Sequence, residues 1–168
     1  MDATDLQNVQ APLKDAYRVD PAAALMTLRA SGQLGDEEVS CSVDVGRQLV
    51  EAGLHPATGG DGTLACSGDM LLQALVACAG VTLRSVAVNR GLRVSGTVTA
   101  EGVLDFRGTL GVDREAPVGF RSIGLTFDLD TDATPDDVAA LIRTTERYCV
   151  VYQTLRAGTE VSVATTVR

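Results

Sequence analysis

Ser67-Gly-Asp-Met-Leu-Leu-Gln-Ala-Leu-Val-Ala-Cys-Ala-Gly-Val-Thr-Leu83 is the stretch that decides the fold. It starts on small polar residues and runs on almost wholly apolar, as a buried helix does. The spacing predicts a helix over about 70–89, capped by Ser67 or Asp69 and ended by Gly91. At 100° per residue, Cys78, Thr82, Ser85 and Asn89 fall on one narrow polar stripe of this rod. The rest is apolar nearly all round, which places the helix at the centre of the fold. A thiol there is shielded by core on both sides. It reads either as a reactive group or as a small buried side chain beside hydroxyls.

Upstream, two extended segments are expected over 22–34 and 38–50, joined by a turn over 32–38. Val39-Ser-Cys-Ser-Val-Asp-Val45 alternates with period two, and Cys41 falls on its inward face. Residues 1–20 are polar and irregular, a flexible N-terminal arm ahead of one domain over 21–168. Residues 52–69 are turn-rich. Within them Gly59-Gly-Asp-Gly-Thr63 equals a phosphate-loop motif of NAD and lipid kinases, but it follows a turn sequence rather than a buried strand, so a glycine-rich turn is expected.

Downstream, residues 92–107 and 117–130 alternate as two strands. Thr134-Pro-Asp-Asp137 starts a second helix, with Thr as cap, Pro at the first position and acids in the first turn. That helix runs to about Arg156. Its Val138, Leu141, Ile142, Thr145, Cys149 and Tyr152 share an inward face. Residues 159–167 alternate as a last strand. The order of strands, long helix, strands, helix and strand is that of an α+β domain.

Bulk properties narrow the function. The chain has 168 residues, a net charge of -8 and no Trp. An acidic surface repels phosphate backbones, which argues against nucleic acid. Gln73, Thr82, Arg84 and Ser85 interrupt the apolar run, and no membrane span is expected. The first residues lack the basic and apolar regions of a signal peptide, so the cytoplasm is the expected compartment. The four cysteines, Cys41, Cys66, Cys78 and Cys149, make no Cys-x-x-Cys pair, and His55 is the single histidine. Neither a zinc site nor a disulfide framework is expected. The acidic residues from Asp128 to Asp137 lack calcium-loop spacing.

The stretch 67–83 resembles the central-helix signature of the OsmC/Ohr superfamily, osmotically inducible and organic hydroperoxide resistance proteins, in which a polar start and an apolar run lead to Ala-Cys. Arg147-Tyr-Cys-Val-Val-Tyr-Gln-Thr-Leu-Arg-Ala-Gly-Thr-Glu-Val161 resembles the family's second cysteine motif. With the elements between them, the likeness extends over 22–168. It implies an OsmC-like fold, with antiparallel sheets around two Cys-bearing helices in an intertwined homodimer. It also implies a peroxidase that protects against oxidative stress. Cys78 would attack an organic hydroperoxide, Cys149 would resolve the sulfenic acid as a disulfide, and an external dithiol or lipoylated protein would reduce it. No cofactor or metal is implied.

Thr82, Ser85 and His55 are candidates for the substrate pocket, His55 as a proton partner. The family also carries an acid and an arginine that activate the thiol. Gly68 stands at the acid's position, so Asp69 is the nearest candidate. Near Gln33, where the arginine belongs, Arg29 and then Arg18 are the substitutes. The family's Pro after the second Cys is Val150 here, and its Ser two further on is Tyr152. The alternative is a non-catalytic protein of the same fold, with core thiols and a binding or structural role.

Overall fold

A computed structural model describes residues 32–34, 40–44, 49–111 and 113–167, with the isolated positions Thr4, Asn8 and Val19. Apart from those positions the arm over 1–20 lies outside the described residues, as do Arg18 and Arg29. The chain divides into two units, Met1–Gln73 with Thr99–Thr126, and Ala74–Val98 with Phe127–Arg168.

In the first unit β1 (Gly32–Leu34), β2 (Ser40–Asp44), β3 (Leu49–Gly53) and β4 (Ala65–Cys66) form one sheet in that order. The first three are antiparallel and β4 lies parallel to β3. Two expectations change here. Gly32–Leu34 belongs to a strand, so the first three residues of the expected turn are extended, and the rest of it lies outside the described residues. The segment 38–50 is not one strand, because Ser40 pairs with Gly53 and Asp44 with Leu49, which requires a reversal between them. Period-two alternation cannot reveal such a reversal when it continues on both sides. Cys41 lies in β2, opposite Leu34 and Ala52.

The glycine-rich segment is a turn. Thr63 donates from its amide and its hydroxyl to Asp61 Oδ1, at 2.8 and 2.7 Å. Gly59 and Gly62 take positive φ, a conformation open to glycine. The strand expected to reach 107 stops at Val103. A four-residue helix, α2 (Phe106–Thr109), follows, capped by Asp105. The paired guanidinium of Arg107 holds the Asp105 carboxyl down at about 2.

α1 spans Ser67–Asn89, beginning at the residue expected to cap it. Gly91, at φ 69°, closes it, and the Leu92 amide returns to Ala87 O at 2.9 Å, a Schellman-type end. Leu75, Ala79, Leu83 and Ala87 form its buried stripe, one face of a 3.6-residue period. The expectation of burial all round is not met, since Val81 is 72% exposed. By length and composition alone α1 would suffice to cross a membrane. Core helices of water-soluble proteins do so too, and the buried stripe is a protein contact.

β5 (Val94–Val103) and β6 (Ser122–Thr131) form the second sheet. Arg121 N–H meets Val103 O at 2.8 Å at one end and Thr131 Oγ1 meets Arg93 O at 2.6 Å at the other, so the strands run in opposite directions. Along β6 the odd residues, Ile123 to Thr131, turn inward, as period two predicts. At Gly96, φ 127°, any side chain would run into the Asp128 carbonyl. Only glycine accommodates both constraints.

The second unit has a core of Leu83, Ala87, Val94 and Leu141, flanked by half-buried Val86, Leu92, Phe127, Leu129 and Ile142. Leu141 comes from α3 (Pro135–Tyr148). Thr134 caps α3 by accepting from Asp137 N at 3.2 Å, with Pro135 at the first position. The second helix is broken: α3 ends at Tyr148 and α4 covers Val150–Ala157. The last strand is absent. Residues 159–167 lack strand structure and are exposed. Among the described residues their alternation has no strand to pair with, and a strand needs one.

Candidate functional site

Cys149 sits at the joint between α3 and α4, and the joint sets its surroundings. Its φ and ψ of -72° and 108° are extended. Its amide donates to Thr145 O at 2.9 Å, closing α3, and its carbonyl accepts from Gln153 N at 3.0 Å, opening α4. One residue thus ends one helix and caps the next. It makes no side-chain cap bond to α4. Amides at a helix start have no intrahelical partner, so those of Val150 and Val151 are available to another acceptor.

Cys78, on α1, is the other thiol of the sequence pair. Burial disfavours its thiolate. Against this, hydrogen bonding from the Val151 amide, the Cys149 thiol, the Val150 amide and the Thr82 hydroxyl favours the charged form, and its pKa falls below the ordinary thiol value. Thr82 is one turn along α1. Cys149 moves the other way. Burial pushes its thiol up, the Tyr152 amide opposes this, and the bond to Cys78 and the charge on it raise the thiol further. The two shifts run in opposite directions, which makes Cys78 the more acidic thiol of the pair and Cys149 the less acidic. Cys149 is fully buried and Cys78 half-buried. Both are free thiols.

The remaining candidates are placed as follows. Ser85 is half-buried on α1, and its carbonyl accepts from Asn89 Nδ2 at 3.0 Å. Asp69 is exposed in the first turn of α1, where a carboxylate complements the helix dipole. His55 belongs to the first unit. Its Nδ1 accepts from Ala57 N at 3.0 Å, and its ring stacks on Phe106 with centroids 5.0 Å apart. Cys66 is half-buried in β4. Among the described residues, no group of three or more His, Cys, Asp or Glu is placed to hold a metal.

Sequence reasoning missed the amides of Val150 and Val151. Every residue but proline has an amide, so residue type carries no signal. The one local cue was the β-branched pair itself, weak in helix propensity.

Such a thiol pair can reduce a peroxide and form a disulfide. A family model described as OsmC-like protein matches residues 60–164. Among solved structures, an OsmC-like protein from Mycoplasma pneumoniae is 17% identical with a TM-score of 0.64, covering 78% of this chain and 88% of its own. An OsmC-like protein of unknown function from Vibrio cholerae is 12% identical with a TM-score of 0.60, covering 77% and 94%. An organic hydroperoxide resistance protein OsmC from Legionella pneumophila is 19% identical with a TM-score of 0.56, covering 79% and 90%. No curated protein sequence matches.

Proposed function

The chain belongs to the OsmC-like family, and from that premise we propose that it is a thiol peroxidase reducing organic hydroperoxides to alcohols. The observation that carries this reading is the family match over 60–164, which takes in both Cys78 and Cys149, and the opposite pKa shifts of the two thiols support it. The Cys78 thiolate attacks the distal peroxide oxygen. The O–O bond breaks, the leaving alkoxide takes a proton as alcohol, and Cys78 becomes a sulfenic acid. Cys149 attacks that sulfur, water leaves, and a disulfide forms. An external dithiol, free or lipoyl-bound, returns both thiols and is itself oxidised. The cycle needs no cofactor or metal.

Thr82 and Ser85 line the approach to Cys78 along its own helix. Exposed Tyr148 and Val150 flank Cys149 in sequence and exposed Val81 follows Cys78 by three residues, and apolar groups there suit an alkyl or aryl peroxide better than hydrogen peroxide. Asp69, Arg29 and His55 remain candidates for supporting roles. A homodimer with the site at its interface is part of the same reading, supported by the uncovered face of α1 and by Val161, Val163 and Val167, each more than four-fifths exposed. So are a cytoplasmic location, where thiols stay reduced, and a single domain over 21–168.

Mixing the reduced protein with cumene hydroperoxide and counting thiols tests the reading. Cys78 and Cys149 are expected to disappear together and to return with dithiol. If both persist while a known peroxidase reacts, the chain is a non-catalytic member of the family.

A further inference from the structure

The two cysteine helices are tied together at the ends far from their cysteines. Arg90, the residue after α1, donates from Nη2 to Asp137 Oδ1 in the first turn of α3, at 3.3 Å. Both ends of this tie are themselves held. The Arg90 amide donates to Val86 O and Ala87 O, each at 3.1 Å, so the residue prolongs α1. Asp137 Oδ2 accepts from Thr134 Oγ1 at 2.8 Å, and the Asp137 amide donates to that hydroxyl at 3.2 Å. From the tie the helices run in opposite directions. Leu141, one turn beyond Asp137 on α3, packs in one cluster with Leu83 and Ala87, which precede Arg90 on α1. The buried positions then continue away from the tie in steps of four, through Ala79 and Leu75 on one side and Thr145 and Cys149 on the other.

Cys78 stands twelve residues before Arg90, and Cys149 twelve after Asp137. At 1.5 Å per residue each is about 18 Å from the tie. Equal spans bring the two sulfurs to one level. Each thiol also shifts the pKa of the other, as neighbours do. We propose that Arg90 and Asp137 are positioning residues for the thiol pair: their ion pair fixes the register of α1 against α3, and so sets whether Cys78 and Cys149 can bond. This rests on reading the two cysteines as a redox pair. A disulfide closes only for Cα separations of about 4.4 to 6.8 Å, a narrower window than the 5.4 Å or so of one helical turn. The side chains of the tie are 36% and 42% exposed, so its loss leaves the core and the fold intact.

The readout is the equilibrium of the Cys78–Cys149 disulfide with glutathione, followed at the peptide level in the full chain without peroxide. The two thiols form one S–S bond and give two electrons and two protons to oxidised glutathione, which parts into two glutathione thiols. Arg90 is the position to change, because Asp137 also serves the start of α3. Arg90→Gln is expected to lower the equilibrium constant about threefold, within the range of a half-exposed ion pair. Arg90→Lys keeps a charge for Asp137 Oδ1 and should restore it. Salt at about 1 M should bring the wild type down to the Arg90→Gln value and leave that variant unchanged. A constant unmoved by Arg90→Gln overturns the proposal. So does one lowered equally by Gln and Lys, or a wild type that forms no such disulfide. Peroxide consumption by the wild type is measured in parallel. The expected shifts in a protein that consumes no peroxide support the tie and remove the peroxidase reading. Unshifted constants in an active protein do the reverse.

Discussion

Cys78→Ser is expected to reduce peroxide consumption to background, a loss on the order of a thousandfold or more, as removal of a covalent nucleophile usually gives. Serine keeps the shape and the partners but not a reachable anion, since a hydroxyl does not ionise at neutral pH. Cys149→Ser should behave differently. Its first turnover survives and leaves a sulfenic acid on Cys78 that dimedone traps, while turnover with dithiol slows. The pH dependence has a fixed sign. The Cys78 pKa lies below the ordinary thiol value, so the wild-type rate should reach half its plateau at a lower pH than an unperturbed thiol would. It falls as acid protonates the thiolate. Peroxide consumption assayed from acid to neutral pH checks both claims. Undiminished turnover in Cys78→Ser would remove the mechanism outright, whatever the behaviour of Cys149.

Leu141→Ala is expected to cost about 2–5 kcal/mol of stability, the range for emptying a fully packed leucine site. Leu141 is 0% exposed in the core with Leu83, Ala87 and Val94. Its neighbours come from α1, β5, β6 and α3 itself, so no single side chain can swing in to fill the gap. Denaturant unfolding at fixed protein concentration measures the loss. The concentration must be held because subunit association would add to apparent stability. The effect should reach the Cys149 thiol, because Leu141 and Thr145 form the buried stripe of α3 and Cys149 follows directly at its end, its amide bonded to Thr145 O. A cost below about 1 kcal/mol would mean the core collapses around the vacancy, against the packing described above.

The strands β5 and β6 and the start of α3 were legible because each obeys a local rule. Period two marks Ile123 to Thr131, and Thr134-Pro135 is a cap followed by a preset first turn. The two cysteines stood out by their place on helical faces. What was hidden depended on partners. The reversal inside 38–50 left the alternation undisturbed, and the segment 159–167 has the pattern without a neighbour among the described residues. The break at Cys149 was hidden because Val138 through Tyr152 keep helical spacing across it. Periodicity reports which side a residue faces, not whether the backbone carries on. The short helix at Phe106 did carry a signal, Asp105 as a cap, in a stretch that otherwise read as strand.

The joint at Cys149 makes one residue serve two helices. Its amide closes α3 on Thr145 O and its carbonyl receives the Gln153 amide of α4, so neither helix can slip by a residue at that end without dragging the buried thiol along. The backbone on both sides acts as a clamp, and any substitution that loosens either bond displaces the sulfur with it.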